Sequence, residues 1–232
     1  IGHAFSVIPA AKDQWEVMTG DLNSKISASK IAVMKAAVVK SDSVMQHMLP
    51  IHPMAALVLK NIASAFQSNQ RSMFDFIKTP KDLDVHAFQW FIQNTRPDSD
   101  RSLLTVDMLW DFFYEKGKDY LTSDIKLILD TYPQQTNLTE KEKVVLKTIL
   151  IMQAVDQRLG GTIPVLKATD QNLSYAFEGD WDVYENECKS IAKALVKKGV
   201  LIQTPIADGK QVYSAAVLAG DGAKIDRLKD EV

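Results

Sequence analysis

Two firm signals bracket the C-terminal third of the chain and fix the order of elements between them. Thr139-Glu140-Lys141-Glu142 is a capping box. The Thr139 hydroxyl can accept from the Glu142 N–H while the Glu142 carboxylate reaches back, so a helix starts there. Downstream, Asp208-Gly209 joins two strand-like runs, VLIQTPI and QVYSAAV. An Asp-Gly pair between such runs signals a hairpin, because its turn needs positive φ. Between these signals, EKEKVVLKTILIMQAVDQ reads as a helix running to Gly160-Gly161, and TIPVL as a short β-prone piece. Thr169-Asp170 cap a second helix over DQNLSYAF, and Gly179-Asp180 turn the chain into a third at 182–198. That helix ends in lysines and glycine, where a C-terminus favours them.

Helix, short strand, helix, helix, hairpin is the order of a winged helix, predicted over 134–218. Residues 1–133 predict a helical domain instead, with Tyr132-Pro133-Gln134-Gln135 as the boundary. Residues 219–232 begin a further helix or a linker. The fold class is therefore mainly α: a helical bundle, then a winged helix with a small β-hairpin.

Within the bundle, 1–20 reads as a loosely structured start and helical signal begins at Asp21. Leu22, Ile26, Ile31, Val33, Met34, Val38 and Val39 follow three-to-four spacing. Lys25, Lys30, Lys35 and Lys40 drift round that helix, which describes a solvated surface better than a nucleic-acid track. Asp42 or Ser43 can cap a short helix, and Pro53 suits the first turn of HPMAALVLKNIASAF. Further helices are expected over RSMFDFIK, DLDVHAFQWFIQNT, 105–118 and 119–131, with RPDSDRS as an exposed loop.

The residues offer little independent chemistry. There is no P-loop or dinucleotide glycine motif, and no Gly-x-Ser-x-Gly elbow. His3, His47, His52 and His86 are scattered without metal-ligand spacing. Asp75, Asp107 and Asp111 fall on helix faces in the manner of solubilising charges. The one cysteine, Cys188, excludes an internal disulfide, reads as a small buried hydrophobe and fits a cytoplasmic setting. No apolar run is long enough to span a bilayer, so no membrane partner is expected. The chain begins IGHAF without an initiator Met and ends RLKDEV, which reads as a piece of a longer protein.

The most pointed segment is 50–77, PIHPMAALVLKNIASAFQSNQRSMFDFI. Its polar turn is followed by Arg71, a cation heading an apolar helix, where the helix dipole favours negative charge. Such a cation needs an anionic partner if buried. Two readings stand together: Arg71 reaches a phosphate on a neighbouring domain, or it pairs with Asp75 at i, i+4 for about 0.3–0.5 kcal/mol.

With those residues named, the chain resembles the region downstream of the nucleotide-binding core in large prokaryotic AAA-type ATPases of phage-defence or DNA-processing type. The His52-Pro53 helix start, the apolar helix after it and SNQRSMFDFI carry the resemblance. It implies a lid-like helical domain in which Arg71 is the sensor-2 residue contacting nucleotide phosphates, with Asn69 and Gln70 as helpers. Ser68 or Asn69 stands where the family turn has glycine, and no Walker A or Walker B motif is in this sequence. The resemblance thus implies ATP and Mg for the parent protein and no cofactor held by this chain alone. Its partners would be the ATPase core of the same polypeptide and other subunits, and it would not be an enzyme in isolation.

DNA is the alternative partner, since the third helix of a winged helix is the usual major-groove reader. Lys189, Lys193, Lys197 and Lys210 are the candidate DNA or partner contacts. Charge speaks against DNA. Residues 139–216 hold ten basic and ten acidic side chains, and Asp182, Glu185 and Glu187 crowd the reading end. A purely structural, protein-interacting domain is the third reading.

Overall fold

The computed structural model describes residues 9–66, 73–80, 84–180, 184–206 and 209–215. The fold is mainly helical with a small two-stranded antiparallel sheet. The first helices are α1 (Lys12–Ser24), α2 (Ser27–Ala37), α3 (Asp42–Gln46) and α4 (Pro53–Phe66). They are followed by α5 (Met73–Lys78), α6 (Phe88–Asn94) and α7 (Ser123–Leu129). Then come α8 (Glu140–Arg158), α9 (Asp170–Phe177), α10 (Tyr184–Lys197), β1 (Leu201–Pro205) and β2 (Gln211–Ala215).

α8 is the axis of the molecule. Its Val145, Leu146, Ile149, Leu150, Ile151, Met152, Ala154 and Val155 are all buried, so apolar side chains leave it in several directions. One side packs on α4, α7 and the 3-10 turn Val106–Leu109, the other on α10 and β2. A single hydrophobic cluster therefore joins residues on both sides of Tyr132-Pro133. The α8 start is the capping box expected from sequence: the Thr139 hydroxyl accepts from the Glu142 N–H, and Glu142 accepts from the Thr139 N–H at 2.8 Å. Thr139→Ala is expected to lower the unfolding free energy by about 1 kcal/mol, read from urea melts, because an N-terminal donor loses its acceptor.

The C-terminal elements follow the expected order. Thr169 caps α9 by accepting from the Asn172 N–H at 3.2 Å. Gly199 after α10 has φ +72°, the left-handed exit that glycine allows. β1 and β2 pair from Leu201↔Ala215 to Pro205↔Gln211, and Thr169 bridges Val212 from the other side. The Tyr213 N–H donates to the Ala168 carbonyl at 2.9 Å, so the segment before α9 acts as a short third edge. TIPVL itself is a 3-10 turn at Pro164–Leu166, since Pro164 cannot supply a strand donor.

Four expectations are corrected. Within the segment expected to be loose, the described residues are helical: after a 3-10 turn at Pro9–Ala11, α1 begins at Lys12, is anchored through Leu22 and half-buried Met18, and breaks from α2 at Lys25-Ile26. Neither Asp42 nor Ser43 caps α3; Ser41 occupies that position. Region 105–118 is not a regular helix but a 3-10 turn followed by a π turn at Asp111–Glu115. Leu109, Trp110, Phe112, Phe113 and Tyr114 are all buried within it. Asp107 is no solubilising charge either, being only 7% exposed, and the end of the RPDSDRS loop brings half-buried Arg101 beside it.

Candidate functional site

Arg71, Asn69 and Gln70 lie outside the described residues. The helices on either side of them are described. α4 starts at Pro53, as the sequence predicts, and buries Met54, Leu57, Val58, Leu59 and Ile62; α5 buries Phe76 and Ile77.

The four candidate lysines are on the C-terminal unit. α10 buries Cys188, Ile191, Ala192 and Leu195 against α8 and α9, which turns its opposite side outward. Lys193 and Lys197 are exposed there, Lys189 is half-buried and Lys210 is exposed on the hairpin. Positions 189, 193 and 197 are spaced by four, so they share a face. Lys193 lies 3.6 Å from Asp170, both well exposed. The acidic residues at the helix start are turned elsewhere. Glu185 accepts from the Gly179 N–H at 3.1 Å, and Glu187 pairs with Lys141 of α8 at 2.9 Å; Asp182 lies outside the described residues. Burial pushes the Cys188 thiol up to about 11, which makes it an inert packing group.

The densest polar site in the interior was not foreseen from the sequence. Residues 178–180, between α9 and α10, are held by groups from distant parts of the chain. The Glu178 carboxylate accepts from the N–H groups of Ala28 and Ser29, capping α2, which has no side-chain cap of its own. The Glu178 carbonyl accepts from His52 Nε2 at 3.1 Å, while His52 Nδ1 accepts from the Met54 N–H. His52 is thereby fixed in one neutral tautomer, and burial lowers its pKa to about 4 despite the bond to Glu178. Gly179 has φ +76°, and a Cβ there would come within 3.1 Å of Lys25, so α9 can reach the α1–α2 corner only with glycine.

Asp180, 1% exposed, completes the site. Arg101 donates through Nε to Asp180 at 3.0 Å and through both terminal nitrogens to Asp107 at 3.1 and 2.9 Å. It also donates to the Thr105 hydroxyl at 2.7 Å, and its guanidinium lies 4.9 Å from the centre of the Tyr184 ring. Burial would lower the Arg101 pKa, yet the two carboxylates raise it above the ordinary arginine value. One guanidinium cannot fully serve two buried carboxylates. Burial pushes Asp180 up to about 6 against the pull of Arg101, with Asp107 and Asp100 adding to the rise. Its Oδ1 is buried without a hydrogen-bond partner.

A cleft of about 580 Å³ opens on the Arg101 and Asp107 side, walled by His86, Trp90, Trp110 and Lys147. The His86 and Trp90 rings stack at 3.8 Å, and Lys147 lies 4.7 Å from the centre of the Tyr132 ring. Among the described residues, no group of three or more His, Cys, Asp or Glu side chains could hold a metal ion. Nor is any described helix long and apolar enough to cross a membrane. The sequence signal for the clasp was slight: two arginines in a polar loop, and a Gly-Asp turn before a helix. Nothing local told that they would meet.

No protein-family model, curated protein or solved structure matches the chain.

Proposed function

We propose that this chain is a non-catalytic module of a multidomain ATPase, in which residues 139–215 form a winged helix that engages duplex DNA through α10. The observation that supports the reading is the outward face of α10. Glu185 and Glu187 are spent on Gly179 and Lys141, so Lys189, Lys193 and Lys197 dominate what a partner meets, with Lys210 on the wing. The exposed Lys193–Asp170 pair holds little energy and yields readily to phosphate.

The test is fluorescence anisotropy with duplex DNA. Binding of the wild type is expected near about 10⁻⁴–10⁻⁶ M at physiological salt and tightens steeply as salt is lowered. Changing Lys189, Lys193 and Lys197 together to Glu should weaken it by at least about tenfold, since each phosphate contact releases counterions. Absence of wild-type binding at low salt overturns the DNA reading.

The ATPase part of the proposal draws on α4 and α5, which flank the Arg71 segment as a lid would require. In it, Arg71 contacts the phosphates of ATP bound with Mg by the core of the same polypeptide, with Asn69 and Gln70 assisting. Arg71→Ala in the longer protein should lower ATP hydrolysis; unchanged activity rejects that role.

A further inference from the structure

We infer that Arg101 is the positioning residue of α10, coupling the helix to the 101–107 segment of the N-terminal bundle; the inference takes its partner from the DNA reading above. α10 is held by an apolar stripe, Cys188, Ile191, Ala192 and Leu195 against α8 and α9, and by polar pairs within the C-terminal unit such as Glu187 with Lys141. Hydrophobic burial stabilises without direction, so such a stripe tolerates small rotations and slides. The approach to α10 is different. Arg101 binds Asp180 through Nε, Asp107 through both terminal nitrogens, and lies against the first ring of the helix, Tyr184. A planar guanidinium with donors in a fixed fork dictates direction as well as distance. Two of its partners, Asp107 and Thr105, belong to the bundle, as Arg101 itself does; the other two, Asp180 and Tyr184, lie on either side of the entry to α10. Displacement of the start of α10 therefore separates Tyr184 from the guanidinium, and displacement of Asp180 breaks the fork. The fork also forms a wall of the cleft, so its bundle side is open to the surface.

The clasp can be tested on the full chain by amide hydrogen exchange. Arg101→Lys keeps the charge and loses the fork. Exchange of the first-turn amides of α10 should then rise by about tenfold relative to the core amides of α8. A merely global loss of stability would move both sets together, and an unchanged ratio overturns the clasp. In a second arm, duplex DNA should slow exchange at Thr105–Asp107 in the wild type and not in Arg101→Lys, because coupling between two sites is reciprocal. Wild-type binding without that response, or an equal response in the variant, overturns the coupling. If the wild type binds no duplex, the DNA reading fails and the first arm still decides on the clasp. Should Arg101→Lys not fold, Asp180→Asn replaces it: it keeps the shape and the Arg101–Asp107 fork, and should loosen the first turn of α10 in the same sense.

Discussion

Arg101→Met is expected to unfold at much lower urea than the wild type, with a free energy of unfolding reduced by about 3–5 kcal/mol. The size follows from what is left behind. Asp107 is 7% exposed and Asp180 is 1% exposed, so removing the guanidinium leaves two carboxylates in the interior facing each other without a counter-charge. The Thr105 hydroxyl also loses a donor at 2.7 Å. Methionine restores the volume of the side-chain stem and nothing else. A control sets the scale: the Lys141–Glu187 pair has the same 2.9 Å separation, but both side chains are 46% exposed. Lys141→Met should cost no more than about 0.2–1 kcal/mol, since water solvates the glutamate left over. Equal losses in the two variants would mean that burial does not set the strength of the Arg101 clasp.

Local signals read correctly where the chain itself supplies the partner. The Thr139 box, the Thr169 cap, the Pro53 helix start and the Gly199 exit involve groups within a few residues of one another, so sequence spacing is enough to predict them. Region 105–118 differed from its helical reading in backbone form and not in burial: Trp110, Phe112, Phe113 and Tyr114 are all in the core, carried on a 3-10 turn and a π turn that apolar spacing does not distinguish from an α-helix. The polar site failed for a different reason. Arg101 and Asp180 are separated by 79 positions, and the Ala28 N–H and the Glu178 carboxylate by 150. Each partner alone reads as an ordinary surface charge, and the packing of α9 on α2 and α4, with α8 beside them, brings the two halves together. Nor do the letters of the acidic first turn of α10 tell that Glu185 accepts from Gly179 and Glu187 pairs with Lys141.

His52 and Asp180 should give the protein two acid responses of opposite sign that largely cancel, and single substitutions should separate them. The His52 pKa falls from 6.5 to about 4 on folding, because burial strips an imidazolium of its water, which outweighs the bond from Nε2 to the Glu178 carbonyl. The unfolded chain therefore binds a proton that the folded chain refuses. The His52 contribution is complete above pH 6.5 and is lost as pH falls towards 4, by about 3 kcal/mol at 1.36 kcal/mol per pH unit. Asp180 runs the other way. Its pKa rises from 3.8 to about 6, so the folded chain takes up the proton first; its contribution is complete below 3.8 and is lost as pH rises through 6. Over the shared window the two slopes oppose each other, and the wild type should change little from these groups. Asp180→Asn leaves the His52 response uncovered, and that variant should lose about 3 kcal/mol more than the wild type between pH 6.5 and pH 4. His52→Gln can still donate to the Glu178 carbonyl, and should gain stability relative to the wild type as pH falls over the same range. Every other titrating group is common to the three proteins, so the differences between their urea midpoints isolate the two side chains. Parallel pH profiles for all three would show that neither group changes its proton affinity on folding.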